Sequence, residues 1–291
     1  MEQATGLTVL GAAIGSARVV EKILGPTADY LGIGMRDWTE RKVQNVGRVF
    51  ESARKKLGDR LEGPGAVPPK VLKGILDEGA FCDDELASEY FGGVLASSRS
   101  EVERDDRGAA LIALLGRLST YQIRTHFIFY EMIHRLYAGL DANIGADEGR
   151  AQLRTFVPGA AYIRAMEFGP TEKTEVILGH VMSGLVREML IGPHFLFGPA
   201  EAIRSQYAEG DVAGILFSPS ALGVELYLWA HGKGDLDKNE ILNPAVQFDS
   251  DVVINVYPGI RSTIFPDRAF PKPDQGEIPV KNLATEQEPS R

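Results

Sequence analysis

Chemically distinctive residues are scarce in this chain: its 291 residues hold one cysteine, two tryptophans and five histidines. A lone Cys82 excludes an internal disulfide and fits a reducing compartment. It sits between Phe81 and the carboxylates of Asp83 and Asp84, which raise a thiol's pKa, so it reads as inert. The uncharged run over 3–17 is shorter than the ~20 apolar residues of a spanning helix, and Arg18, Glu21 and Lys22 follow it. Glu2 replaces the positive start of a secretory signal. Net positive charge is lacking too. A balance of -9 argues against an extended nucleic-acid surface. No G-x-x-x-x-G-K-[ST], G-x-S-x-G or dinucleotide fingerprint occurs.

What is present is ordinary for a globular chain. A hydrophobic fraction of 44% and a charged fraction of 24% support a core that needs no metal or disulfide. Composition divides the chain into an apolar glycine-rich segment (1–35), a helical domain (36–140), an α+β region (141–265) and a proline-containing tail (266–291).

In the first segment Gly11 and Gly15 form GAAIG, a small-xxx-small spacing that lets helix backbones approach closely. The segment reads as a glycine-rich helix packed on another helix, in this chain or a sister subunit. The sharper alternative is a membrane-active hairpin turning at Gly25-Pro26, with 23–35 as its second arm. A basic amphipathic helix follows over 36–60, with Arg41, Lys42, Arg48, Lys55 and Lys56 on its polar face. Such a face is solvated or lies on anionic lipid.

Further helices are predicted over 71–78, 85–97, 108–118, 119–139, 171–192 and 220–230. In ELASEYFGGVLASS the apolar Leu86, Tyr90, Val94 and Leu95 recur at helical spacing, with Asp83 or Asp84 as cap. The helix over 108–118 is apolar all round and belongs in the centre of a core. Ser119 and Gln122 form a capping box. Thr171 is the expected N-cap of the next helix, and Gly192-Pro193 its stop. Ser218-Pro219 opens the last. Strands are expected over 194–197, 211–217 and 250–257, and 140–156 reads as irregular. Leu111, Leu114, Leu115, Phe127, Leu185, Phe217, Leu226 and Trp229 are the expected core.

Chemistry finds little purchase. Glu131-x-x-His134 has the spacing of half a di-iron site, but the second half is absent. DLDKNE imitates the start of a calcium loop and then fails, with Glu240 at position six and Val246 at position twelve. His126 and His134 read as partly buried residues with hydrogen-bond partners. Arg187 is too isolated to make a phosphate-binding helix. No catalytic residue, metal, cofactor or small-molecule substrate is implied.

Three stretches resemble the abortive infection alpha family of bacteria. EYFGGVLASS (89–98) is similar to a family helix ending in Leu-Ala-Ser-Ser. Leu118-Ser119 stands where the family has Leu-Ser-Pro, with Thr120 for the proline. LFSPSALGVELYLWAHG (216–232) is similar to the family's Leu-Thr-x-x-Gly-x-x-Phe ending, with Ser218 for the threonine. The resemblance spans roughly 24–232 and implies a role in antiphage defence, without transferable catalytic residues.

The expectation is therefore a mainly α protein with a small β component: a helical N-terminal region, then a winged-helix-like α+β region. Its expected role is non-enzymatic defence as sensor or effector. Its expected partners are a protein or a second copy, with anionic membrane as a further candidate. The location expected is the cytoplasm, with the inner-membrane surface as the peripheral alternative. The other function carried forward is a winged-helix nucleic-acid-binding regulator.

Overall fold

The computed structural model describes residues 6–26, 40–102, 104–253 and 259–270. It is mainly helical, with one small antiparallel sheet. A short hairpin, α1 (Gly6–Ala13) and α2 (Ala17–Leu24), leads to the long α3 (Glu40–Leu57). Then come α4 (Pro69–Glu78), α5 (Glu85–Ser97), α6 (Arg107–Leu115) and α7 (Thr120–Tyr137). The remainder alternates α8 (Asp147–Gln152), β1 (Thr155–Pro158), α9 (Gly159–Met166), α10 (Thr174–Arg187), β2 (Leu196–Gly198), α11 (Ala200–Arg204), β3 (Gly214–Phe217), α12 (Ala221–Ala230) and β4 (Arg261–Ser262).

The central helix is α5. Every residue from Leu86 to Ala96 is buried, including Glu89. Two adjacent glycines make this possible. A methyl on Gly92 would stand 2.5 Å from Ser52 Cβ of α3, and one on Gly93 would stand 1.7 Å from the Ala230 carbonyl oxygen of α12. Gly-Gly thus lets α5 lie flush between two helices. Asp84 caps it by accepting the Ala87 N–H at 2.8 Å. The all-apolar helix α6 is not central, contrary to expectation. Leu111, Ile112, Leu114 and Leu115 are buried, while Ala110 and Ala113 face solvent. Its outer face is apolar only because it is built of alanine.

The capping box forms as read. Ser119 Oγ accepts the Gln122 N–H, and Gln122 Oε1 accepts the Ser119 N–H at 2.9 Å. The next start does not form as read. Glu172 accepts the Gly169 N–H and the Tyr121 hydroxyl proton, which holds 169–173 as a turn, and α10 begins three residues after Thr171. It ends at Arg187, short of Gly192, because Met189 turns the chain at φ 56°. The N-cap of α12 is Ser220, whose Oγ accepts the Gly223 N–H at 2.9 Å, while Pro219 bridges to Ile191.

The sheet has the order β2-β3-β1-β4, with Phe156 opposite Leu216 and Phe197 opposite Ile215. α8 lies inside the stretch expected to be irregular over 140–156, and β1 begins at its end. Of the strand expected over 250–257, residues 251 and 252 are bends and 250 and 253 have no regular structure, while 254–257 lie outside the described residues. All eight expected core residues are buried. One core runs from Leu10 to Ile260, across the boundary drawn at 140. Phe129 of α7 stacks on Phe217 of β3 at 3.9 Å, joining helices to sheet.

Candidate functional site

Two glycines and five basic residues stand out in the sequence, and the structure gives them different surroundings. Gly11 is at a close helix contact: a methyl there would meet Ala17 Cα at 2.6 Å. Gly15 is not. It lies in the turn between α1 and α2 at φ +77°, with nothing within 4 Å of a methyl. GAAIG therefore crosses from helix into turn, and α1 and α2 form a hairpin that reverses here; the residues after the turn expected at Gly25-Pro26, from 27 to 39, lie outside the described residues. Most of the arm expected over 23–35 lies outside the described residues. Arg99 anchors the hairpin's end by donating to the carbonyls of Lys22 and Gly63, at 2.8 and 2.6 Å, and to those of Arg60 and Pro64. Among the described residues no helix is long and apolar enough to cross a membrane.

The basic residues of α3 are engaged within the protein. Arg41 pairs with Asp83, and Lys42 lies over the Phe81 ring, 4.5 Å from its centroid. Arg48 donates to Asn45 and to the Cys82 carbonyl. Lys55 pairs with Asp251 at 2.5 Å. Lys56 is not on a solvated face. Its side chain is 9% exposed, 3.7 Å from Glu89 Oε2, and it donates to the Asp249 carbonyl at 3.3 Å. Burial pushes the Lys56 pKa below the usual lysine value, against the pull of Glu89, Asp251 and Asp249.

Glu89, which the sequence marks only as part of a packing helix, organises this seam. Oε1 accepts the backbone N–H groups of Asp251 and Val252 at 2.9 and 3.1 Å, and Oε2 accepts the Ser250 hydroxyl at 2.7 Å. The segment 248–252 is thus a strap tied across α3 and α5. Phe248 packs inward on Tyr227, His134 and His231, at ring separations of 5.1, 4.7 and 5.3 Å. No sequence signal marks Glu89, because its partners lie about 160 residues away.

The histidines divide by their hydrogen bonds. His126 faces the Gly223 carbonyl through Nε2 at 3.0 Å and the Tyr90 hydroxyl through Nδ1 at 2.9 Å. A carbonyl only accepts, so Nε2 carries the proton and Nδ1 accepts from Tyr90. His134 and His231 each turn Nδ1 to a carbonyl, of Ile241 and Tyr227 respectively, at 2.7 Å. Burial lowers the pKa of His126 and of His231 to about 3. Glu131 accepts from the Tyr227 hydroxyl and from Arg135, each at 2.5 Å. The Glu131-x-x-His134 spacing therefore serves internal bonds, and no metal-holding cluster occurs among the described residues. Cys82 is half-buried; burial raises its pKa, with Asp84 adding to the effect.

Two hollows border this seam. An open groove of about 760 Å³ lies between the hairpin and α3, with Ile14 and Val19 on one side and Arg48, Glu51 and Arg54 on the other. A smaller one of about 150 Å³ lies beneath the strap, beside Lys56 and His231. No family model, curated protein or solved structure matches the chain.

Proposed function

We propose that the chain is a non-enzymatic antiphage defence protein, acting in abortive infection as sensor or effector by association with a protein partner, a second copy or an anionic membrane surface. The resemblance at 89–98, 118–119 and 216–232 supplies the biological role. The observation that carries the molecular reading is the use of the buried and half-buried ionisable groups as struts. His126, His134 and His231 each hold a backbone carbonyl, and Glu89 and Glu131 hold a strap and a tyrosine. Proton transfer to a substrate needs such groups free and within reach of it. Association is supported by large apolar side chains at the surface near both ends of α10, where Val176 and Met189 are 68% and 66% exposed.

The nucleic-acid alternative gains nothing from Arg187, which pairs with Glu188 at 3.1 Å. The test is a plaque assay on cells with and without the protein, paired with fractionation before and after infection. Protection is expected, together with a shift of the protein into a membrane or high-mass fraction on infection. Equal plaque counts across a broad phage panel, with the protein expressed and folded, would refute the reading.

A further inference from the structure

The hollow beneath the strap has properties that the defence reading does not use. It measures about 150 Å³ and is lined by Ser52, Lys56, His231, Lys233, Gln247 and Asp249, among others. One water needs ~10–15 Å³ and a drug-sized ligand ~300 Å³ or more, so the space suits a group of a few heavy atoms. It adjoins solvent beside the half-exposed Lys55.

His231 is the informative group. The residue is 6% exposed, and its Nδ1 is committed to the Tyr227 carbonyl at 2.7 Å. A carbonyl only accepts, so Nδ1 carries the proton. Burial and the neighbouring Lys56 hold the imidazole neutral, with a pKa of about 3. Nε2 is then a bare acceptor, and it has no partner among the described residues. It is not among the buried unpartnered atoms, so it is open to the hollow and free to accept from a donor that enters. The lining also carries side chains that donate: Lys56, Lys233 and Gln247, while the Ser52 hydroxyl already donates to the Glu89 carbonyl at 3.5 Å. Asp249 adds a further acceptor.

We infer that this hollow is a binding site for a small oxyanion that still carries a proton, of the hydrogen phosphate class. The P–OH donates to His231 Nε2, and the charged oxygens accept from Lys56, Lys233 and Gln247. Three lysines against Glu89, Asp249 and Asp251 leave the surroundings near neutral, which favours an oxyanion of low charge. Sulfate has the same size and shape but is fully ionised near neutral pH. It offers His231 and Asp249 no donor and meets them with lone pairs. The site therefore selects by protonation.

The experiment titrates the full chain with inorganic phosphate and with sulfate at pH 7 and constant ionic strength, by calorimetry. Saturable phosphate binding is expected, with sulfate weaker by about tenfold or more, the scale of one hydrogen bond lost with an acceptor left facing an acceptor. His231→Phe keeps an aromatic ring against Phe127 and Phe248, and phosphate binding should be lost while the circular dichroism spectrum is kept. If that variant does not fold, Lys233→Met takes its place and should weaken phosphate by about tenfold. Absent phosphate binding, equal affinity for the two anions, or full binding in a folded variant would each overturn the inference.

Discussion

Glu89 Oε1 accepts the backbone N–H of Asp251 at 2.9 Å, tying a buried carboxylate on α5 to a strap from the far end of the chain. Removing the carboxylate leaves the Asp251 amide and the Ser250 hydroxyl without their acceptor and the Lys56 ammonium without its ion-pair partner. Glu89→Ala should destabilise the protein by about 3 kcal/mol, the scale for breaking one half of a buried pair. Glu89→Gln keeps an acceptor oxygen and should cost about half as much. Urea unfolding of the two variants checks both. A loss below 0.5 kcal/mol for Glu89→Ala would mean that the strap is not held here.

Gly93 and Gly15 offer a contrast in what a methyl costs. At Gly93 it would stand 1.7 Å from the Ala230 oxygen, so Gly93→Ala should cost about 3 kcal/mol by forcing α5 and α12 apart. At Gly15 there is space but φ is +77°, so Gly15→Ala should cost about 1 kcal/mol through the backbone alone. Gly11→Ala should resemble Gly93→Ala, because the clash is with Ala17 backbone. Thermal or urea unfolding ranks the three.

The histidines predict the pH response. For His126 and His231 the folded pKa is about 3, below the usual value of 6.5. The unfolded chain binds the protons first as pH falls, so stability is full above pH 6.5 and declines from there toward pH 3. Each group contributes a slope of up to about 1.4 kcal/mol per pH unit. Between pH 6.5 and 5, above the carboxylate range, urea midpoints should fall steadily. His126→Gln should remove about half of that slope. A flat profile over this window would show that the two imidazoles are not buried neutral.

Cys82 should react slowly. Its thiol pKa is raised by burial, with Asp84 contributing. Alkylation by iodoacetamide at pH 7.5 should run about tenfold slower in the folded protein than in urea. Equal rates would place the thiol in water.

The helices were legible because their period and caps are local. Ser119 with Gln122, and Asp84 before α5, are read from four adjacent residues. Seven of the eight core positions lie on those helices, and Phe217 lies on the strand expected over 211–217. The strap was not legible. VVINVY has strand character, yet the amides of Asp251 and Val252 go to Glu89, which no local rule anticipates. Lys55 and Lys56 look alike in sequence; one faces solvent and the other lies beside Glu89, and only the packing of α3 on α5 separates them. β1 is four residues long and β4 two, too short for an alternating pattern to show. The small hollow depends on residues from 52 to 251 meeting in space, so its donors and acceptors could not be grouped beforehand.

The central claim is that the ionisable side chains of the core serve the fold and that protection follows from the folded surface. Alanine or glutamine variants of His126, His134, His180, His194 and Cys82 test it most directly, each scored for phage protection and for unfolding midpoint at matched protein level. The account predicts one relationship: protection falls only as stability falls, and the exposed His180 and His194 have no effect. A variant as stable as the parent that has lost protection would contradict it, and would mark that side chain as a site.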